Sequence, residues 1–240
     1  MSSITLGVIG GVGPLSTAYF MEAVINATDV KTDQEHIDMI VLNHTQIPDR
    51  TAFILKESQD DPVKLMVEDA QKLEQMGAKV IVTPCNTAHY FYNALQESDN
   101  VTFINMIFET AEVIKKSGIK KVGILATNGT IKTSLFQTAL KNVGIEGVIP
   151  SQLMQSYVMD LIYDDVKGGK PVRMDKFAAV VDELKTKGCE AVILGCTELS
   201  VIKKEYKLDK FYVDSLEVLV YKTILACNKP VKMSFIENMC

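Results

Sequence analysis

The feature that most limits the fold is an alternation of short β-branched runs with longer amphipathic stretches. In the first half, the apolar runs begin at Ile4, Ile37 and Lys79, and helix-like stretches cover residues 16–27 and 62–76. Strands of this composition separated by helical patterns are typical of parallel strands joined by crossover helices. The order therefore predicts an α/β fold with a parallel sheet covered by helices on both faces.

The second half of the chain repeats this order, with a strand predicted at FINMI from Phe103 and helices predicted over residues 131–142 and 156–165, among others. The segments LGVIGGVGPLSTAYF and VGILATNGTIKTSLF both run from a strand through a turn of small residues into a helix, and their glycines Gly7 and Gly123 lie 116 residues apart. Self-similarity at a long period indicates an internal duplication. We therefore expect two pseudo-symmetric α/β lobes with parallel sheets. Because open α/β sheets bind ligands at the carboxyl ends of their strands, the active site should lie in the cleft between the lobes.

Two cysteine-containing segments fall at such strand ends. TPCNTAHYFY from Thr83 and LGCTELSVIK from Leu194 each place a cysteine and a threonine between a strand-like and a helix-like run. Cys85 and Cys196 lie 111 residues apart, within five residues of the glycine separation, so the duplication places both thiols on one cleft. Backbone N–H groups at a helix N-terminus bind anions, and the helix dipole is expected to lower the pKa of a nearby thiol. Two such thiols can serve as acid and base on opposite faces of one carbon.

Composition narrows the functional classes. The 240 residues are 47% hydrophobic and 23% charged, which suffices for two folded lobes with little disorder. A net charge of -5 gives no basic field for nucleic acid or an anionic membrane. The N-terminal sequence lacks a signal-peptide pattern, and no apolar run approaches the roughly 18 to 20 residues of a membrane span. An odd number of cysteines, five, favours free thiols in the cytoplasm.

The glycine-rich turn does not match a nucleotide-binding motif. GVGPLS, at residues 11–16, lacks the third glycine of G-x-G-x-x-G, and no GK[ST] follows it. Close approach of the backbone to a small ligand, or a tight turn from strand to helix, explains these glycines better.

Five motifs carry a resemblance to a known family. They are GGVGP near the start, NHTQIPDRT at Asn43–Thr51, PCNTAH at Pro84–His89, GILATNGT at Gly123–Thr130 and GCTEL at Gly195–Leu199. In these motifs and their order the chain resembles the aspartate/glutamate racemases that use no pyridoxal phosphate. The resemblance implies a pseudo-symmetric two-domain fold, commonly a homodimer, with no cofactor and no metal. It also implies a first lobe of residues 1–98 plus 208–240 and a second lobe of residues 99–207.

The resemblance also implies roles for individual residues. Cys85 and Cys196 look like the catalytic pair, one as the thiolate that takes the α-proton and the other as the thiol that delivers one to the opposite face. The groups that hold the substrate's α-carboxylate and ammonium are then Asn86, Thr87, Thr127, Thr130 and Thr197.

Four charged residues complete this set. Arg50 and Lys167 look like the clamp for the substrate's side-chain carboxylate, and the arginine fork matches a carboxylate in two hydrogen bonds. Asp49 and Glu198 are candidates to orient the lysine, arginine or thiol groups. Alternatively, Arg50 forms a surface ion pair with Asp49, and Lys167 is a solvated lysine.

A metal site is a weaker interpretation of the same residues. Cys85 and His89 are four residues apart and could bind a metal together with Cys196 and Glu198. A thiolate bound to zinc would be a poor proton carrier, so the acid/base interpretation is favoured. The remaining cysteines, Cys189, Cys227 and Cys240, are interpreted as structural or incidental.

Several functions stay open at this stage. The chain could racemise aspartate, glutamate or a broader set of amino acids, since one methylene in a pocket changes binding by only about 1 to 3 kcal/mol. It could also be a hydantoin racemase or a maleate isomerase, although the IPDRT motif argues against these. A non-catalytic amino-acid-binding module is a more distant alternative, because two lobes around a cleft also describe solute-binding proteins.

Overall fold

Two four-stranded sheets form the framework of the protein. The computed structural model describes residues 4–239, so Cys240 lies outside the described residues. All strand pairs within the two sheets are parallel. The strands are β1 (Leu6–Gly10), β2 (Met39–Asn43), β3 (Val80–Val82), β4 (Thr102–Phe103), β5 (Lys121–Ala126), β6 (Glu146–Val148), β7 (Ala191–Gly195) and β8 (Tyr212–Asp214).

The two sheets have the same strand order. The first runs β2-β1-β3-β4 and the second runs β6-β5-β7-β8, so each strand of the first half has a counterpart in the second. The central strands β1 and β7 are buried along their whole length, as expected for a sheet with helices on both faces. The predicted α/β fold with two similar parallel sheets is confirmed.

Helices connect the strands and cover both faces of the sheets. No helix within residues 4–239 is long and apolar enough to cross a membrane. The α-helices are α1 (Pro14–Ala27), α2 (Arg50–Leu55), α3 (Val63–Gln75), α4 (Tyr92–Leu95), α5 (Met106–Ser117), α6 (Asn128–Lys132), α7 (Leu135–Asn142), α8 (Gln152–Met159), α9 (Met174–Thr186), α10 (Thr197–Tyr206), α11 (Ser215–Ala226) and α12 (Met233–Met239). Two 3-10 helices, Asp33–Glu35 and Thr87–Phe91, and one π-helix, Asp160–Lys167, complete the set.

The C-terminal part of the chain contacts both lobes. β8 pairs with β7 in the second sheet, whereas the next helix, α11, packs against α1 and α5. Beyond α11, Val231 forms an antiparallel bridge with Thr28 of the first lobe. Strand pairing places β4, which falls within residues 99–207, in the first sheet, and β8, which falls within residues 208–240, in the second sheet. Each of these short strands therefore lies in a different predicted lobe from the other strands of its sheet. The residue bounds of the lobes stay a prediction.

Three elements differ from the sequence pattern. FINMI, expected as a strand, contributes only Phe103 to β4, because the Asn105 side chain accepts from the N–H groups of Ile107 and Phe108 and starts α5. The helix expected over residues 131–142 is broken at Ser134, which has a positive φ of 55°. The helix expected over residues 156–165 divides into α8 and the π-helix.

The glycine-rich turn after β1 is a close-packed corner. Gly11 has a φ of 80°, and a Cβ there would lie 2.4 Å from the backbone carbon of His44. Gly13 approaches the other lobe, because a Cβ there would lie 3.1 Å from Oε1 of Glu198. The tight-turn interpretation therefore accounts for Gly11, and contact between the lobes accounts for Gly13.

Candidate active site

Both predicted catalytic cysteines line one inner cavity between the lobes. Cys85 follows β3, Cys196 follows β7, and each is 7% exposed. The cavity measures about 10 Å³, about the room that a single water requires. The predicted site residues that line it are Asp49, Arg50, Cys85, Asn86, Thr87, Thr127, Lys167, Cys196, Thr197 and Glu198, and Val12, Thr51 and Tyr163 complete the lining.

A larger outer cavity of about 350 Å³ adjoins the inner one. Its wall includes apolar side chains from both lobes, among them Leu15, Ile47 and Val166. Four residues line both cavities and define the neck between them: Asp49, Arg50, Lys167 and Glu198. A small molecule that reaches the cysteines from the outer cavity must therefore pass four charged side chains.

Cys196 is held as a hydrogen-bond donor. It is the residue before the first turn of α10, and its Sγ lies 2.9 Å from Oε2 of Glu198. Burial raises the pKa of this thiol well above its usual range, and the Glu198 carboxylate raises it further, against the opposing effect of Lys167. The expectation that the helix dipole lowers the pKa of both thiols is therefore wrong for Cys196, because desolvation and a neighbouring carboxylate outweigh the dipole.

Lys167 lies at the neck between a carboxylate and an aromatic ring. Its Nζ lies 3.8 Å from Oε1 of Glu198 and 4.2 Å from the centroid of the Tyr163 ring. Burial alone would lower the pKa of this ammonium, but Glu198, Cys196, Tyr163 and Cys85 together raise it. Lys167 is therefore permanently charged at the entrance to the cysteines, and it contacts a carboxylate and a ring instead of being freely solvated.

Arg50 is buried and anchored by backbone carbonyls. It is 7% exposed, and its Nη1 donates to the carbonyls of Ile47 and Pro48 at 3.3 and 3.0 Å. Nη2 donates to the carbonyl of Val12 at 3.0 Å. Nε is buried and has no hydrogen-bond partner among the described residues. Because a guanidinium has five N–H donors, Nε and the second hydrogen of Nη2 remain for a ligand.

Asp49 performs two structural tasks rather than pairing with Arg50. Its Oδ1 accepts from the N–H of Ala52 at 2.8 Å and so caps α2, the helix that begins at Arg50. Its Oδ2 accepts from the hydroxyl of Tyr163 at 3.5 Å, which joins the two lobes at the neck. The alternative of a surface ion pair between Arg50 and Asp49 does not fit these bonds.

Asn86, next to Cys85, keeps its whole amide group free. The residue is 2% exposed, and both Oδ1 and Nδ2 are buried without a hydrogen-bond partner in the part of the chain that the structure describes. Buried polar atoms are nearly always paired, and leaving one unpaired costs about 1 to 3 kcal/mol. An unpaired amide that lines a cavity is therefore typical of a ligand-binding position.

Three threonine hydroxyls form a triangle between the lobes. Oγ1 of Thr87 lies 2.9 Å from that of Thr127 and 3.0 Å from that of Thr130, and the last two are 3.2 Å apart. Thr87 belongs to the first lobe, and the other two frame the start of α6. Thr87 and Thr127 line the inner cavity, whereas Thr130 is fully buried behind them. Thr197, the remaining predicted threonine, lies beside Glu198, with its Oγ1 3.4 Å from Oε2.

The Cys85 loop is fixed by a neutral histidine. Nδ1 of His89 lies 2.9 Å from the carbonyl of Cys85, and Nε2 accepts from the N–H of Met106 at 3.2 Å. Burial lowers the pKa of His89 to about 4. Both ring nitrogens are thus engaged with the backbone, which does not fit the metal-ligand alternative. Residues 4–239 contain no group of three or more His, Cys, Asp or Glu side chains placed to hold a metal ion.

The Cys196 loop is backed by a buried ionic cluster. Asp214, at the end of β8, accepts from the Ser200 hydroxyl of α10 at 2.7 Å. Nζ of Lys203, also on α10, lies 2.7 Å from Oε2 of Glu217. Burial, followed by the charge of Asp214, raises the pKa of Glu217 to about 7. Charged side chains therefore support the Cys196 loop, whereas a neutral histidine supports the Cys85 loop.

The sequence analysis assigned no role to three residues of the inner cavity, Val12, Thr51 and Tyr163. Tyr163 stands on the π-helix, four residues before Lys167, in a stretch without a recognised motif. Its spacing from Lys167 was the only available signal. The catalytic and binding roles of the other residues remain predictions. Cys189 and Cys227 are buried in the hydrophobic cores.

Comparisons with known proteins agree with this architecture. The family model for Asp/Glu/Hydantoin racemase matches residues 9–223. The solved structure of the Picrophilus torridus aspartate racemase is 32% identical, with a TM-score of 0.83 and 97% of each chain covered. The broad specificity amino-acid racemase RacX of Bacillus subtilis is 26% identical over 91% of this chain and 96% of its own. A glutamate racemase of Aquifex pyrophilus is 29% identical over 79% of this chain and 73% of its own.

Proposed function

The chain belongs to the Asp/Glu/Hydantoin racemase family, and from that premise we propose that it racemises an acidic amino acid through Cys85 and Cys196. Its aspartate and glutamate racemase relatives are isomerases that do not depend on pyridoxal phosphate. The observation that carries the proposal is the shared lining of one inner cavity by both thiols, Arg50 and Lys167. Two proton carriers and two cations around one small space fit a substrate with an acidic α-carbon and a second carboxylate.

The proposed chemistry is a proton removal and a proton return on opposite faces of the α-carbon. A thiolate takes the α-proton and becomes a thiol, and the opposite thiol gives its proton to the carbanion and becomes a thiolate. The hydrogen bond from Cys196 to Glu198 and the raised pKa of Cys196 favour the thiol at that position in the free enzyme. We therefore assign the first proton removal to Cys85. In the reverse direction, Glu198 stands where it can accept the proton of Cys196.

Substrate binding is divided between the inner cavity and the neck. The free Nε and Nη2 donors of Arg50 form one edge of the guanidinium, which matches the two oxygens of a carboxylate. Lys167 adds a second cation at the neck. The unpaired amide of Asn86 and the hydroxyls of Thr87, Thr127 and Thr197 are assigned to the α-carboxylate and ammonium, with Thr130 behind them.

Aspartate is the first substrate to examine, and glutamate is the second. The Picrophilus torridus protein, described as an aspartate racemase, is similar over nearly the full chain, and a glutamate racemase also matches. The broad-specificity relative supports a wider amino-acid range as the second candidate function. We also propose a homodimer in the cytoplasm, where the four free cysteines among residues 4–239 would stay reduced. Sedimentation velocity measures the first of these proposals.

Hydrogen exchange in deuterated water tests the proposed function. The enzyme is incubated separately with L-aspartate, L-glutamate and a panel of neutral amino acids, and proton NMR follows loss of the α-hydrogen while chiral chromatography follows the D-enantiomer. We expect exchange and racemisation of at least one acidic amino acid. Exchange across the whole panel would favour broad specificity.

The controls separate catalysis from binding. C85S/C196S should abolish both exchange and racemisation while leaving the far-ultraviolet circular dichroism spectrum unchanged. Calorimetric binding of aspartate without any exchange by the wild type would indicate an amino-acid-binding module. Turnover of a hydantoin or of maleate, with none of any amino acid, would also refute the proposal.

A further inference from the structure

Tyr163 contacts two of the four residues at the neck. Its ring lies under the ammonium of Lys167, 4.2 Å from Nζ to the ring centroid. Its hydroxyl donates to Oδ2 of Asp49 at 3.5 Å. The first contact stays within the second lobe, and the second reaches the first lobe. Tyr163 lines the inner cavity with the two cysteines but does not line the outer one.

Lys167 needs such support because its own ion pair is long. The lysine stem has four rotatable carbons, and its side chain is 30% exposed, so solvent offers other positions for the ammonium. The distance of 3.8 Å to Glu198 is near the upper limit for an ion pair. Glu198 also accepts from Cys196, so its carboxylate is shared. An aromatic face attracts a cation without using a carboxylate oxygen, and the attraction increases away from water.

We infer that Tyr163 is a positioning residue that holds the Lys167 ammonium at the neck and so sets the enzyme's selectivity for a substrate with a second carboxylate. The inference rests on the proposed function, since it assumes that Lys167 meets the side-chain carboxylate. The ring fixes the position of the cation, and the long hydrogen bond of 3.5 Å from the hydroxyl to Asp49 adds only minor support. Loss of the ring should therefore weaken binding of the acidic substrate more than it slows proton transfer.

The same segment offers a matched control. Tyr157, on α8, lies under Nζ of Lys176 at 4.7 Å from the ring centroid, and neither residue lines the inner or the outer cavity. Both tyrosines pack against the core of the second lobe. Y157L removes a comparable ring and a comparable cation contact away from the neck.

A double-mutant cycle tests the inference. Racemisation of aspartate, or of glutamate if that is the substrate, is measured for the wild type, Y163L, K167M and Y163L/K167M. We expect Y163L to raise KM about three- to tenfold, with kcat within about twofold of the wild type. The double variant should be no worse than K167M alone, because Tyr163 acts through Lys167. Y163F retains the ring and should change KM by less than about twofold, and Y157L should leave both constants unchanged.

Several results would overturn the inference. These are multiplicative effects of Y163L and K167M, a fall in kcat with KM unchanged in Y163L, or equal behaviour of Y163L and Y157L. If Y163L fails to fold, a large rise in KM for the folded Y163F variant would also overturn the inference, since that variant keeps the aromatic face that contacts Lys167. Failure of the proposed function is seen separately, as a wild type that racemises no acidic amino acid.

Discussion

The loops that carry Cys85 and Cys196 occupy equivalent places in two matching sheets, yet their surroundings differ. Cys196 starts the ten-residue helix α10 and donates to a carboxylate two residues on. Cys85 is followed by a 3-10 helix and by the unpaired amide of Asn86. A neutral histidine holds the Cys85 loop, whereas a buried ionic cluster supports the Cys196 loop.

This difference shows that a duplicated backbone need not duplicate the electrostatics of its side chains. Strand order fixes where each sulfur lies, because both sheets place the loop at the carboxyl end of the same strand. The protonation state depends on burial and on the nearest charge, and these are set by single residues such as Glu198. A racemase benefits from this arrangement, since one thiol and one thiolate must face the substrate at the same time.

Replacement of either cysteine should have the largest effect. C85S and C196S should each lower racemisation by about a hundred- to ten-thousandfold, because each removes one of two proton carriers. The two variants should differ in hydrogen exchange in deuterated water. C196S keeps the proposed resting base and should still exchange the α-hydrogen of one enantiomer, whereas C85S should exchange more slowly with both.

The control for this comparison is C189S, a buried cysteine in the core of the second lobe. It should keep racemisation within about threefold of the wild type. Full activity in either C85S or C196S would rule out the two-base mechanism, and identical exchange in both would remove the assigned asymmetry.

Removal of the Glu198 charge should make the two thiols more alike. E198Q should lower the pKa of Cys196, because a negative neighbour that favours the thiol is lost while burial remains. Loss of a charge-assisted acceptor should also reduce racemisation about ten- to a hundredfold. Thiolate absorbance titrated in the C85S background measures the first effect, and E205Q, an exposed position on the same helix, is the control. An unchanged titration midpoint would show that Glu198 does not govern this thiol.

The supports of the two loops should respond to pH with opposite signs. The pKa of His89 falls from 6.5 to about 4 on folding, so the unfolded chain binds more protons between these values, and the free energy of unfolding rises with pH there. The pKa of Glu217 rises from 4.5 to about 7, so the folded protein binds more protons, and the free energy of unfolding falls as pH rises through that window.

Urea denaturation from pH 4 to pH 8 separates the two contributions. E217Q should remove the loss of stability between pH 5 and pH 7, a change of at least about 1 kcal/mol, since one pKa unit corresponds to about 1.4 kcal/mol. H89Q should remove the gain between pH 4 and pH 6 and lower stability by about 2 kcal/mol through lost buried hydrogen bonds. E57Q, at an exposed position in the first lobe, should leave the profile unchanged. If the free energy of unfolding varies with pH in the same way for E217Q and the wild type, the raised pKa assigned to Glu217 is contradicted.

A methyl group at Gly13 should give the smallest effect. Its Cβ would lie 3.1 Å from Oε1 of Glu198, so the carboxylate must shift by a few tenths of an ångström. We expect G13A to lower kcat/KM about two- to fivefold without a large change in melting temperature. G77A is the open-space comparison, since a Cβ there has no neighbour within 4 Å, although its φ of 98° costs stability. An effect of G13A that persists in the E198A background, which removes the contacting atom, would place its cause outside Glu198.

Most of the fold could be predicted from the sequence. Apolar periodicity sets the order of strands and helices along the chain, and the matched spacings predict two similar lobes with parallel sheets. The errors have local causes: Asn105 starts a helix inside FINMI, and Ser134 adopts a left-handed conformation that interrupts a helical pattern. Side-chain capping and isolated positive φ values are settled by contacts that periodicity does not encode.

The sequence predicts which residues line the candidate site better than it predicts their hydrogen bonds and pKa values. Motifs place Cys85, Cys196, Asn86 and Arg50 at one cavity. They do not reveal that burial and then Glu198 raise the pKa of Cys196, or that carbonyls already hold three of the donors of Arg50. Tyr163 was not predicted as a site residue, because a tyrosine between aspartates forms no recognisable motif. Long-range geometry decides all three features.

The threonine triangle pairs three hydroxyl groups of the site with one another. Three hydroxyls carry three hydrogens, and three mutual contacts use all of them. An acceptor that enters the cavity can receive a hydrogen from Thr87 or Thr127 only if that hydroxyl turns away from its neighbour. Hydroxyl rotation needs no movement of a heavy atom, and Thr130 can then donate to whichever oxygen has turned. The hydrogen bond between the threonines of the two lobes can therefore exchange its donor and acceptor without breaking.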